Sequence, residues 1–190
     1  MTEKEIRKIL KEKLDPKRYS HTIGVAKTAK KLALYYGVDP DRAYLAGLLH
    51  DCAKNVPKSD RISTAERYGV ELTDVERRNT GLIHAKLGEA MARKDFGIVD
   101  EGILSAIRWH TVGHPGMTML EEIIYVADFI EPNRKKLPGL NRLRTLAYQD
   151  LDKCVVEMLE ASFIYLEKQG REVDPSGMET YQYYKEKGNA

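Results

Sequence analysis

Residues 46–51 read AGLLHD, an apolar helical run that ends in the doublet His50-Asp51. Two further amphipathic or apolar stretches contain a side chain of the same chemical kind: SHTIGVAKTAKKLA contains His21, and IIYVADFIEPNR contains Asp128. Apolar residues recur with the helical period in all three stretches, which predicts three helices. Burying these polar groups without a partner would be costly, and a single partner shared by all of them would offset that cost.

Imidazole nitrogens and carboxylate oxygens together are typical ligands of a divalent transition metal. Neighbouring helical residues point about 100° apart, so His50 and Asp51 can reach one ion only at a helix end or in a cleft. Lys54, Asn55 and Pro57 indicate that the helix does stop there. Two imidazoles that share an ion at about 2.1 Å each must lie within about 8 Å of one another. The pattern predicts a metal-dependent hydrolase, whereas the doublet alone would fit a buried hydrogen-bonded pair equally well.

The composition excludes several classes of protein. With 31 Lys and Arg against 29 Asp and Glu, the net charge of +2 argues against a partner that is a nucleic-acid polymer. Cys52 and Cys154 both lie in apolar helical patterns, which is typical of reduced core residues and not of a disulfide framework. The start MTEKEIRKILKEKL has no apolar stretch, and no window approaches the ~20 apolar residues of a membrane span. We therefore expect a cytoplasmic protein without a signal peptide or a membrane contact.

A helical period runs through almost every segment, and sustained alternation is missing, so the predicted fold class is all-α. We predict one domain over residues 1–190, with a core at about 16–134 and a C-terminal helical extension at about 141–190. The longest helix is predicted at about 141–168, and its broad apolar face favours a homodimer. His114 is predicted to lie in a loop with no apolar residues around it. Helix starts are predicted at Thr2 with Glu5, at Asp15-Pro16, at Asp39-Pro40, at Thr73, at Asp100 and at Thr118.

The spaced pattern H…HD…D, formed by His21, His50-Asp51 and Asp128, matches the signature of HD-domain metal phosphohydrolases. The resemblance is closer to the YqeK-type symmetrical bis(5′-nucleosyl)-tetraphosphatases, whose successive blocks run here from about residue 18 to 134. The blocks are SHTIGVAKTAKKLA, GLLHDCAKNVP, GLIHAKLGEAMA, ILSAIRWHTVGHPGM and IIYVADFIEPNR. The chain departs from the pattern at His114, where we would expect a basic residue such as Arg.

This resemblance implies an all-helical HD fold, one or two divalent ions, and hydrolysis of diadenosine tetraphosphate to two molecules of ADP. Iron is the expected metal, with manganese, cobalt or zinc as alternatives. By position, the metal ligands would be His21, His50, Asp51 and Asp128. His84 and His110 match two additional histidines of the family, and they would hold a second metal or bind a substrate phosphate.

We predict Asp51, His84 and His110 as catalytic residues. Asp51 would bind the ion and orient the attacking water. His84 or His110, as an imidazolium, would donate a proton to the bridging oxygen or stabilise the departing ADP, because histidine titrates close to working pH. The alternative for His84 is a simple helix cap.

Cationic side chains near these residues are predicted to bind the phosphates. Lys54 lies one turn beyond His50, Arg134 directly follows the Asp128 helix, and Arg18 is a weaker candidate; the alternative for each is an ordinary solvated charge. The loop from Arg171 to Ser176 would close over a nucleotide. The predicted substrate contacts are Arg18, His21, Asp51, Lys54, His84, His110, Asp128, Arg134, Arg171 and Ser176.

Two alternative functions remain open at this point. An HD-type phosphodiesterase or nucleotidase acting on another nucleotide would use the same ligands, although a linear polyphosphate better explains several spread cations. A non-catalytic nucleotide sensor would keep the site for binding alone. The terminal tyrosines 181, 183 and 184 fit helix packing better than base stacking.

Overall fold

Capping residues fix where the first helices begin. The computed structural model describes residues 1–134 and 139–188. The Thr2 hydroxyl accepts a hydrogen bond from the backbone amide of Glu5. The Glu5 carboxylate in turn accepts one from the backbone amide of Thr2, and helix α1 follows. The side chains of Asp15 and Asp39 each accept hydrogen bonds from backbone amides in the first turn of the next two helices, and each helix has a proline in that turn. All three predicted starts are confirmed.

The elements follow one another as helices, and no strand occurs in residues 1–134 or 139–188. The predicted all-α fold class is confirmed. The elements are α1 Glu3–Lys13, α2 Pro16–Tyr36, α3 Pro40–Leu49, a 3₁₀ turn Lys58–Asp60, α4 Arg61–Tyr68, α5 Asp74–Arg78, α6 Ile83–Asp95, α7 Glu101–Trp109, α8 Met119–Ile130, α9 Leu140–Leu146, α10 Leu151–Lys168 and α11 Pro175–Lys187.

Helices α2, α3 and α8 form the centre of the bundle, and α7 packs on α3 and α8. A Cβ on Gly47 of α3 would stand only 2.9 Å from the Cα of Ala26 in α2, so the absence of a side chain allows this close crossing. The chain runs in opposite directions along α2 and α3, and again along α6 and α7. The start of α2, the end of α3, the start of α6, the end of α7 and the end of α8 therefore meet at one end of the bundle.

The predicted single helix at 141–168 is wrong. The chain forms α9 and α10 instead, separated by a turn at residues 147–150. The carbonyl of Ala147 accepts a hydrogen bond of 2.8 Å from the hydroxyl of Tyr36, and the Asp150 side chain caps a new helix through the backbone of Lys153. The longest helix described is α2, with 21 residues.

Helix α11 packs against the rest of the helical bundle. The Tyr184 hydroxyl donates a 2.6 Å hydrogen bond to buried Glu122 of α8. The Thr180 hydroxyl lies 3.2 Å from the carbonyl of Val112 in the loop after α7. The packing role predicted for the terminal tyrosines is correct for Tyr184, whereas Tyr183 is 39% exposed.

Across the described residues, the helices are all too short or too polar to cross a membrane.

Candidate metal-dependent active site

The four predicted metal ligands meet at this end of the bundle. His21 Nε2 lies 2.9 Å from Asp128 Oδ1 and 3.9 Å from Asp51 Oδ2. His50 Nε2 lies 3.5 Å from Asp51 Oδ2 and 3.8 Å from Asp128 Oδ1. The ring centroids of His21 and His50 are 5.4 Å apart, well inside the ~8 Å limit for a shared ion.

Asp51 connects these ligands to the two additional histidines. Its second oxygen, Oδ1, lies 3.3 Å from His84 Nε2 and 3.7 Å from His110 Nε2. The two Nε2 atoms of His84 and His110 are 3.1 Å apart. One oxygen of Asp51 therefore faces His21 and His50 while the other faces His84 and His110.

A tight turn explains how His50 and Asp51 both point into this space. Helix α3 ends at Leu49, and His50 is its C-cap. The chain then tightens, because the amide of Cys52 donates to the carbonyl of Leu49 and the amide of Lys54 donates to that of Asp51. The helix end that we predicted from the sequence is therefore present directly at the doublet.

Second contacts fix the tautomers of the imidazoles. The Nδ1 atoms of His50, His84 and His110 each lie 2.6 Å from a backbone carbonyl three residues earlier, those of Gly47, Gly81 and Ile107. A carbonyl only accepts, so each Nδ1 carries a proton and each ring turns its Nε2 toward the cluster. The Nδ1 of His21 lies 3.1 Å from the carboxylate of Glu131. Imidazoles held through Nδ1 in this way are typical of metal ligands.

Several buried atoms at the cluster have polar neighbours but make no well-aligned hydrogen bond within residues 1–134 and 139–188. They are His21 Nε2, His50 Nε2 and Asp51 Oδ1. An unpaired buried polar atom is costly, and a divalent cation would satisfy all three at once. Three overlapping groups place their ligand atoms within 4.8 Å of one another: His21-His50-Asp51, His50-His110-Asp128 and Asp51-His84-His110. The residues present therefore fit a divalent metal.

Three cations surround the cluster. Arg18 Nη1 lies 2.6 Å from Asp51 Oδ2, Lys54 Nζ lies 2.9 Å from His84 Nε2, and Arg134 Nη1 lies 3.3 Å from Asp128 Oδ1. All three line the same cavity, so the structure brings together these predicted phosphate contacts.

The surroundings of the cluster favour an ionised Asp51 and a neutral His84. Burial alone would raise the pKa of Asp51, but the neighbouring histidines and Lys54 hold it well below its ordinary value, so the group stays ionised. Burial lowers the pKa of His84 well below 6.5, and the Lys54 charge lowers it further. A desolvated ring beside an ammonium group favours the neutral form, which argues against His84 in the imidazolium role that we predicted for His84 or His110. The Lys54 ammonium lies 2.9 Å from His84 Nε2.

A cavity of about 310 Å³ opens beside the cluster, at the lower end of the range for small-molecule sites. Its lining includes Arg18, Lys54 and Arg134, which attract anions. The lining also includes Phe129 of α8 and Met158 and Ser162 of α10. The site therefore combines cationic and partly apolar side chains, which suits a phosphate chain that bears a base.

Some predicted residues lie elsewhere. The guanidinium of Arg171 donates to the side chain of Asn79 at 3.0 Å, beside the segment that leads into α6 but outside the cavity lining. Ser176 lies in the first turn of α11, where its amide donates to Asp174. His114 lies in a loop, as predicted, but the expected lack of apolar surroundings is wrong. Its ring centroid lies 5.0 Å from that of Trp109, with the ring planes at 53°, and its Nε2 lies 3.2 Å from a Glu121 oxygen.

Two site residues escaped the sequence reasoning. The Thr111 hydroxyl lies 3.3 Å from His84 Nε2 and 3.2 Å from His110 Nε2. Its position directly after His110 was the available signal. Glu131 is fully buried against His21, although its place after an apolar helix reads only as a helix end.

Comparison with known proteins decides the family. The model of the HD domain matches residues 18–133, which include every ligand described above. The chain belongs to the HD domain family. The predicted family signature is therefore confirmed, and the matched segment agrees with the five blocks found in the sequence.

Relatives within the HD family match almost the whole chain. The symmetrical bis(5′-nucleosyl)-tetraphosphatase of Bacillus subtilis is 40% identical over 185 residues, covering 96% of this chain and 97% of that protein. The Staphylococcus aureus protein of the same name is 33% identical over 97% of this chain and 95% of its own length. A crystal structure from Clostridium acetobutylicum, described as a predicted HD superfamily hydrolase involved in NAD metabolism, superposes with a TM-score of 0.95 at 37% identity, covering 98% of both chains.

Proposed function

We propose that this protein hydrolyses diadenosine tetraphosphate symmetrically to two molecules of ADP. The observation that carries the proposal is the buried His-Asp cluster with Arg18, Lys54 and Arg134 beside it in one cavity. The names and near-complete coverage of the Bacillus and Staphylococcus relatives support the same reaction. A tetraphosphate carries charge on every phosphoryl group. Three separate cations can therefore bind along a tetraphosphate, whereas a monophosphate would not need them all.

The proposed metal is iron, with manganese, cobalt or zinc as alternatives. His21, His50, Asp51 and Asp128 would hold one ion, and Asp51 with His84 and His110 would hold a second. A bound divalent ion supplies Lewis acidity and makes hydroxide available near neutral pH. The neutral state of His84 supports its role as a ligand over a role as a proton donor.

The cations would position and neutralise the phosphate chain. Arg18 and Arg134 present planar forks that can bind phosphoryl oxygens in pairs. Lys54, which is largely buried beside His84, would stabilise the charge that develops on the departing ADP, and Thr111 would donate a hydrogen bond nearby. We retain Arg171 and Ser176 as proposed nucleotide contacts, which would require their segment to approach the cavity when substrate binds.

We further propose one HD-type unit over residues 1–190, with its core at 16–134 and a helical extension at 141–190. Ile164 and Tyr165 of α10 are 52% and 58% exposed, which supports a homodimer through this helix. The two cysteines are free and buried, which supports the cytoplasm as the location.

Product analysis tests the reaction. Metal-loaded protein is incubated with diadenosine tetraphosphate, and the nucleotides are separated by ion-exchange chromatography. ADP as the sole product supports symmetrical cleavage, whereas ATP with AMP refutes it. Binding without turnover would favour a sensor, and faster turnover of another nucleotide would favour a phosphodiesterase or nucleotidase.

The His50→Ala variant tests the metal requirement. Because His50 is buried and its Nε2 makes no hydrogen bond to the described part of the chain, its removal should lower bound metal and activity together. Turnover that persists in metal-free wild-type protein would refute the metal-dependent reaction.

A further inference from the structure

His21 differs from the other three imidazoles of the His-Asp cluster in how its orientation is fixed. His50 and His110 are C-caps, where the carbonyls of the last helical turn are free to accept, and the carbonyl that serves His84 precedes α6. His21 lies in the second turn of α2, where the carbonyls belong to the hydrogen-bond ladder of the helix itself. Its Nδ1 proton therefore needs an acceptor from another part of the chain.

Glu131 provides that acceptor from a rigid position. Its side chain is fully buried, with Oε1 at 3.1 Å from His21 Nδ1 and Oε2 at 2.6 Å from the backbone nitrogen of Asn133. The guanidinium of Arg144 in α9 donates a 2.9 Å hydrogen bond to the backbone carbonyl of Glu131. Both carboxylate oxygens and the main chain are thus fixed, which leaves the carboxylate little freedom to turn away.

Gly24 leaves the space that this carboxylate occupies. It lies in α2, three residues after His21, and a Cβ there would overlap Glu131 Oε2 and stand 3.1 Å from its Cδ. The carboxylate therefore lies flat against the backbone of α2. Only a residue without a side chain at position 24 permits the contact with His21.

We infer that Glu131 is a positioning residue for the metal centre. It accepts a hydrogen bond from Nδ1–H of His21 and so fixes the ring orientation and the tautomer that present Nε2 to the ion. The inference rests on the metal site of the proposed function. Removing such a partner of a histidine ligand typically weakens metal binding about 10–100-fold.

A titration with Co²⁺ alone tests this inference without any assay of hydrolysis. Wild-type protein, Glu131→Gln and Glu121→Gln are stripped of metal and titrated, with the visible absorption of the bound ion and competition with a chelator as readouts. Glu121 is the matched control, since it is also a buried glutamate with several hydrogen bonds, but it lies in the first turn of α8 and its partners are Ser105, Thr118 and His114. We expect an affinity about 10–100-fold lower for Glu131→Gln and unchanged for Glu121→Gln.

The Gly24→Ala variant provides a second test through the same contact. Its added methyl group should displace the carboxylate and weaken Co²⁺ binding while Glu131 itself remains. If Glu131→Gln and Gly24→Ala both bind Co²⁺ within twofold of the wild type, the inference is wrong and the proposed reaction is unaffected. If wild-type protein itself does not bind Co²⁺, the metal site and the inference both fail.

Discussion

The Tyr184→Phe substitution should destabilise the protein through one buried hydrogen bond. The Tyr184 hydroxyl lies 2.6 Å from Glu122 Oε1, and the two residues are 1% and 3% exposed. Within the described chain no other side chain donates to this carboxylate. Losing a hydrogen bond to a buried charged group costs roughly 1.5–3 kcal/mol, so the free energy of unfolding should fall by about 2 kcal/mol. At roughly 2–4 °C per kcal/mol for a chain of this size, the melting temperature should fall by about 4–8 °C.

The loss should also depend on pH. Burial raises the pKa of Glu122 above 4.5, and the hydrogen bond from Tyr184 opposes that rise, so the variant should have a still higher pKa for Glu122. A carboxyl with a raised pKa binds its proton more tightly in the folded state. Its effect on stability is therefore a loss that grows as pH rises from the unfolded pKa through the folded pKa. The deficit of the variant should be smaller at pH 5 than at pH 8.

Urea unfolding followed by circular dichroism at both pH values measures this prediction. Tyr183→Phe is the control, because it deletes the same atom from the neighbouring residue, which is 39% exposed and makes no bond to Glu122. Its unfolding free energy should stay within about 0.5 kcal/mol of the wild type. The reasoning would be refuted if Tyr184→Phe were as stable as the control at pH 8, or if its loss of stability relative to the wild type were larger at pH 5 than at pH 8.

Three further results are expected. Gly47→Ala should cost about 1–3 kcal/mol in thermal or chemical unfolding, because its Cβ would stand 2.9 Å from the Cα of Ala26 and neither backbone can yield easily. Lys54→Ala should lower kcat/KM for diadenosine tetraphosphate roughly 10–100-fold, the equivalent of one charged hydrogen bond, with partial recovery in Lys54→Arg; an unchanged value would exclude Lys54 from the site. Stripping the metal with a chelator should lower the melting temperature, since a ligand at 100 times its Kd stabilises by about 2.7 kcal/mol, and readdition of metal should restore it.

The sequence predicts the helical fold and the convergence of the ligands well. Helical periodicity and capping residues are local signals, so α1 to α3 begin where expected. His21, His50, Asp51 and Asp128 stand out because they interrupt apolar helical faces, and a charged or polar group there needs a partner from elsewhere in the fold.

Features that depend on distant contacts could not be predicted. At the break between α9 and α10, the hydroxyl of Tyr36 donates a hydrogen bond to the carbonyl of Ala147, which lies 111 residues away in the sequence. Glu131 looks like a helix end until the ring of His21 is placed beside it. The neutral state of His84 follows from burial next to Lys54, which periodicity alone does not reveal.

Crystals of the iron-loaded protein, measured at the iron absorption edge, test the central claim most directly. An anomalous-difference peak should lie about 2.0–2.3 Å from the Nε2 atoms of His21 and His50 and from oxygens of Asp51 and Asp128. A peak bound by other residues, or no peak in protein that still cleaves diadenosine tetraphosphate, would contradict it.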